Sequence, residues 1–133
     1  MAIITGENEY VRMEVRGHYF YTQFKANTKI DLNAAKKVIH DAVVLADGKI
    51  YPVLTDIRDM PPHAKEVREY FANEASYSSC SNAILVSSSI SRILATLFLS
   101  LNKPSIPTRI FTDPEKAAKW LEMFPIRPRQ ILV

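Results

Sequence analysis

Between Tyr51 and Trp120 the chain alternates three times between two hydrophobic periodicities, and this alternation narrows the available folds more than any other feature. Tyr51–Ile57 and Ala83–Val86 are short, β-rich and almost continuously apolar, as strands covered on both faces are. A helix from about His63 to Ala75 follows the first, with Ala64, Val67, Tyr70 and Phe71 on its inner side. A helix over Ile90–Leu101 follows the second. At about 100° per residue it gathers Ile90, Ile93, Leu94, Leu97, Phe98 and Leu101 into an arc of about 140°, with Leu99 opposite. Thr108–Phe111 is the third such strand. Thr112-Asp113-Pro114-Glu115 then starts a helix, with Thr112 as cap and Pro in the first turn, and Ala117, Trp120, Leu121 and Phe124 make its face. Buried strands that each lead into a helix imply a mostly parallel sheet with covering layers.

The N-terminal part adds a hairpin. Glu9–Arg16 alternates apolar Val11, Met13 and Val15 with charged Arg12, Glu14 and Arg16. Gly17-His18 supplies a tight turn, and Tyr19–Lys25 returns. Asp31 is placed to cap a helix whose apolar positions are Leu32, Ala35, Ile39, Val43 and Ala46, and Asp47-Gly48 closes it. Pro52 belongs near the start of its strand, since it cannot donate to a ladder. Ser76–Ser81 reads as a polar connector. The expected order is β-β-α-β-α-β-α-β-α: an α/β fold with one mixed, mostly parallel sheet, an N-terminal hairpin and about four helices. It forms a single domain over residues 1–133, with an extended tail at 125–133.

Composition excludes several classes. At 47% apolar and 23% charged residues the chain is an ordinary folded domain. Of its net charge of +3, residues 1–102 contribute nothing (11 basic, 11 acidic), and residues 103–133 carry 6 basic against 3 acidic. No Lys/Arg run or aromatic-interleaved basic stripe is present, so nucleic acid is not an expected partner. Three glycines are too few for phosphate-cradling loops, and no cofactor is expected. Cys80, the only cysteine, leaves no internal disulfide and reads as a buried, inert thiol. No apolar run approaches a transmembrane span or a secretory leader, and the cytoplasm is the expected compartment.

The order and three segments together carry a resemblance. Val53-Leu-Thr-Asp-Ile-Arg-Asp, Ser91-Arg-Ile-Leu-Ala-Thr-Leu-Phe-Leu-Ser-Leu-Asn-Lys-Pro and Pro107-Thr-Arg-Ile-Phe-Thr-Asp-Pro-Glu-Lys-Ala-Ala-Lys-Trp-Leu look like a group of bacterial SpoIIAA-like proteins. From Tyr10 to Phe124 the layout is similar to the SpoIIAA-like fold of anti-sigma-factor antagonists and STAS domains. The resemblance implies a non-enzymatic regulatory or protein-interaction domain, expected as a homodimer. Anti-sigma antagonists carry a phosphorylatable serine at the start of the helix after the Val53 strand. Here that corner reads Asp59-Met60-Pro61-Pro62-His63-Ala64, with no hydroxyl residue, so the phosphoserine switch does not carry over.

Three places are candidate sites. The first is an interaction loop of Asp56, Arg58, Asp59, Met60 and His63; its Asp-x-x-Asp-x-x-x-His spacing matches no tight metal set, and neither a metal nor a catalytic residue is expected. The second is Ser87, Ser88 and Ser89 at a helix start, with Arg92 one turn in, where free amides favour an anion; simple capping is the plainer reading. The third is the surface around Phe98 and Leu99, as a dimer contact or an apolar groove for a lipid-like ligand. The tail Gln130–Val133 is a candidate edge strand.

Overall fold

The computed structural model describes residues 4–129 except 62, 90, 94 and 97–102. The chain opens as an antiparallel meander of β1 (Ile4–Glu7), β2 (Val11–Arg16) and β3 (Tyr19–Phe24). Gly17 has φ +60° at the β2–β3 turn, the conformation that turn needs. Then follow α1 (Leu32–Ala46), β4 (Lys49–Asp56), α2 (Lys65–Ser78) and β5 (Ser79–Leu85). The last elements are α3, with described helical residues 89, 91–93 and 95–96, then β6 (Thr108–Phe111), α4 (Pro114–Leu121) and β7 (Arg127–Pro128). The sheet runs β1-β2-β3-β4-β5-β6, and β7 pairs with the start of β4. β4 lies parallel to β3 and β5, and β6 lies parallel to β5. The two expected interior strands are neighbours in register, Val53 opposite Asn82 and Asp56 opposite Leu85.

Because β3, β4, β5 and β6 are laid down side by side in chain order, each connection crosses the sheet in the same sense. Right-handed crossovers then place α1, α2 and α3 on one face. There Phe20, Phe24, Val38, Tyr51 and Val67 form the larger core, joined by Val11 and Met13 of the meander. On the opposite face α4 seats Ala117 and Leu121 against Tyr21, Leu54, Ala83, Leu85 and Phe111.

Several local expectations need correction. Among the described residues there are two strands more than expected, β1 and β7, both too short and polar to show periodicity. Ser76–Ser81 is not a connector: Ser76–Ser78 end α2 and Ser79–Ser81 begin β5, buried among apolar neighbours that override their turn preference. Pro52 sits inside β4, where the register shifts between Tyr51 and Pro52 and so removes the need for its missing donor. The cap of α4 is Asp113, whose carboxylate accepts from Glu115 N at 2.9 Å, not Thr112. Asp31 does cap α1, accepting from Ala34 N at 2.8 Å. The buried face of α1 is Ala34, Ala35, Val38 and Ala46, while Leu32 is exposed. Asp47 itself takes the left-handed exit (φ 49°) ahead of Gly48. On α3, Ile93 is 61% exposed, against the expected inward position, and Ile90, Leu94, Leu97 and Leu101 of the expected arc lie outside the described residues. Phe98 and Leu99 lie outside the described residues, as do Gln130–Val133. No described helix is long and apolar enough to cross a membrane.

Candidate functional site

The C-terminal ends of β4 and β5 bring the two predicted loops together on one side of the molecule. Asp56, the last residue of β4, is 1% exposed. A buried carboxylate needs several donors, and this one has four. Arg58 forks onto it through Nε at 3.0 Å and Nη2 at 2.8 Å, Arg58 N donates at 3.1 Å, and Tyr21 Oη of β3 donates at 2.7 Å. Burial alone would push the Asp56 carboxyl up, but the bonds from Arg58 and Tyr21 outweigh it and hold it below the ordinary carboxylate value. Burial and the bond to Asp56 push the Tyr21 phenol up to about 12. The Arg16 guanidinium lies 3.8 Å from the Tyr21 ring centroid and closes the far side of the cluster. Asp56 therefore spends its charge locking β3, β4 and the following turn together. Asp59 beside it is exposed. Among the described residues no three His, Cys, Asp or Glu side chains converge as a metal site.

Beyond this lock, the face under α1, α2 and α3 holds a cavity of about 740 Å³ that opens to solvent. Its floor includes Phe20, Val53 and Ile84 of the sheet and Val86 just past β5, and its walls include Ile39, Phe71 and Ala95. Polar side chains are interspersed with these, Thr22, Arg68, Ser78, Ser79 and Thr108 among them. Thr55 Oγ1 donates to Asn82 Oδ1 at 2.7 Å within it. Arg58, Met60, His63, Ser87 and Ser91 also line it, so members of both predicted loops share its margin. Burial pushes the His63 imidazole down, which favours its neutral form, and its Nδ1 lies 3.2 Å from Pro61 O.

The predicted serine cluster divides. Ser88 caps α3, its Oγ accepting from Ser91 N at 3.2 Å. Ser87 lines the cavity, Ser89 is exposed, and Arg92 lines a different groove on the other side of α3. That groove, of about 660 Å³, runs past β6 and α4 and is also lined by Arg109, Lys116, Lys119 and Trp120. Neither the cavity nor the groove is a motif in the sequence. Their traces are small residues where a packed helix would carry large ones (Ala72, Ala75, Ala95) and the basic excess of the last quarter.

A family described as a domain of unknown function, DUF7793, matches residues 13–125. This chain belongs to the DUF7793 family. The match spans β2 through the end of α4, and so contains the Asp56 lock, the cavity and the groove. No curated protein matches the chain. Among solved structures, the DUF7793 chain is similar to an uncharacterised protein of the DUF3478 family from Shewanella loihica PV-4, described as having a SpoIIAA-like fold. The two are 17% identical, the alignment covers 87% of this chain and 98% of that one, and the TM-score is 0.58. The DUF7793 chain therefore has the SpoIIAA-like fold that its order of elements implies. A protein of unknown function from Arthrobacter sp. FB24 also aligns, at 22% identity over 78% of this chain and 87% of that one, with a TM-score of 0.32. At the corner that follows β4, the N-cap of α2 is Ala64, which makes no side-chain cap bond.

Proposed function

We propose that this DUF7793 chain is a non-enzymatic, regulatory binding domain that holds an apolar, lipid-like molecule between its sheet and the helices above it. The cavity carries this reading. At about 740 Å³ it lies within the range of about 300–1,000 Å³ usual for small-molecule sites. Sealed and dry, such a void at about 24 cal/mol per Å³ would cost about 18 kcal/mol. That exceeds the total stability of about 5–15 kcal/mol of an ordinary domain, so the space holds water or a ligand. Apolar side chains make up the larger part of its lining, Phe20, Phe24, Val53, Phe71 and Ile84 among them, which favours an occupant with an apolar body and a polar end. Absence of a phosphorylatable residue at the α2 corner fits control by occupancy rather than by phosphorylation.

Native mass spectrometry of freshly purified protein tests this. The expected result is a stoichiometric adduct removed by organic extraction. A bare chain that also fails to take up a fluorescent fatty acid would overturn the reading.

A second reading, contact with an unidentified cytoplasmic protein or a second copy of the chain, is favoured by the exposed Ile93 on α3 and by the exposed Arg58 and Asp59 beside the cavity. Light scattering at tens of micromolar protein tests the homodimer, and a strict monomer ends it. Pull-down with and without Asp59→Lys tests the partner.

A further inference from the structure

The groove beside β6 is independent of the cavity and has a different chemistry. β6 is the last strand of the sheet, and among the described residues no strand pairs with its outer edge. Asn82 N donates to Pro107 O and Val86 N to Phe111 O. In a parallel ladder these bonds turn Pro107, Arg109 and Phe111 toward β5, so the backbone N–H and C=O groups of Thr108 and Ile110 point outward. Side chains around that edge are cationic. Arg109 stands opposite Ala83 and therefore faces the α4 side, where it lies 5.1 Å from the Phe111 ring centroid. Lys116 and Lys119 project from α4 into the same groove, and Arg92 enters it from α3. None of the four makes an ion pair with a described residue, although Asp113 and Glu122 also line the groove. Trp120 packs on Phe111 with ring centroids 5.8 Å apart and gives the groove an aromatic wall. With four basic and two acidic side chains in its lining, the groove is net positive.

We propose that this edge takes an extended acidic segment of a partner protein, added as a further strand alongside β6. Outward backbone groups supply the pairing, and alternation along the added strand supplies the specificity. Every second side chain of the guest falls on the α4 face, where Arg109, Lys116 and Lys119 await carboxylates. The intervening positions meet the other face. A free anion would use the charge and leave the outward backbone groups unpaired, so an extended chain fits the edge better.

The probe is a labelled eight-residue peptide alternating glutamate with valine, followed by fluorescence anisotropy at low and high salt. Two controls accompany it: the same peptide with lysine for glutamate, and one of identical composition with its four glutamates in a block. The alternating acidic peptide is expected to bind best and to weaken with salt. It is expected to lose at least tenfold in affinity with Lys116→Glu/Lys119→Glu and to slow amide exchange at Thr108 and Ile110. Both substitutions lie at exposed positions; should the pair fail to fold, Arg109→Glu carries the same expectation. Failure of the acidic peptide to bind, equal binding of either control, or indifference to the charge reversals would overturn the proposal. So would tighter binding of anionic vesicles or single-stranded DNA at this groove.

Discussion

Replacing Tyr21 by Phe deletes a single atom from the Asp56 lock, and the structure sets the size of the effect. Tyr21 Oη donates at 2.7 Å to a carboxylate that is 1% exposed. A hydrogen bond to a charged group contributes about 1.5–3 kcal/mol. Since Arg58 still donates three times to Asp56, the expected loss for Tyr21→Phe is at the lower end, about 1.5–2 kcal/mol, or about 4 °C of Tm for each kcal/mol. Asp56→Ala removes one partner of a buried pair and strands the Tyr21 hydroxyl, at about 3–4 kcal/mol; the 40% exposure of the Arg58 side chain lets its charge return to water and keeps the cost from the top of the range. In the Asp56→Ala background, Tyr21→Phe then removes an orphaned hydroxyl and costs almost nothing. Urea unfolding of the wild type, both single variants and the double variant measures the coupling, expected at about 1.5–2 kcal/mol. Additivity within about 0.5 kcal/mol would refute the reasoning, because it would mean that the two side chains do not share a bond. pH offers an independent check. A phenol whose pKa rises from about 10 when unfolded to about 12 in the fold contributes stability that is complete below pH 10. That contribution disappears as pH climbs through 12, so the difference between wild type and Tyr21→Phe shrinks across that interval.

The acid limb has the opposite sign: Asp56, held below its ordinary value, contributes stability above about pH 4, and urea titrations should show that contribution fading as pH falls further, but not in Asp56→Ala. Asp31→Ala removes the carboxylate that caps α1 and should cost about 1 kcal/mol by thermal melting. Cys80 is buried, its thiol 3.7 Å from Pro125 O, and burial pushes its pKa up; a thiol reagent should modify it only at the rate of global unfolding, and fast labelling of native protein would contradict its placement. Ala72→Phe places a ring in the cavity and should abolish uptake of a fluorescent fatty acid while leaving Tm equal or higher; unchanged uptake would place the ligand elsewhere.

Architecture was legible because it depends on period, and period survives in sequence. Tyr51–Ile57 and Ala83–Val86 read as buried strands and pair in register. Their helices follow for the same reason. Boundaries were less legible where burial outweighs local preference. Ser79 and Ser81 look like a loop, yet they are 5% and 0% exposed inside β5. The α3 arc placed Ile93 inward because the 3.6-residue period orders residues around a helix without saying which side meets the sheet. Of the site, the sequence showed the two loops that meet at the cavity margin. It did not show that Asp56 is consumed by Tyr21, a partner 35 positions away. Nor did it show the cavity, which is made of space between elements and so leaves no motif of its own. The groove cations Arg109, Lys116 and Lys119 were visible only as an uneven charge balance, since their convergence needs β6 and α4 side by side.

Strands β3 to β6 are neighbours in the order of synthesis, so each pairs with one already made. The second face of that sheet has a different history. Tyr21, Leu54 and Leu85 are covered by α4, which spans Pro114–Leu121. A nascent chain therefore completes nearly its whole sheet while one side of it stays bare and sticky. Residues made after β6 decide whether that surface is sheltered or joins another chain. Premature termination anywhere before Pro114 should thus yield aggregates rather than a smaller soluble protein.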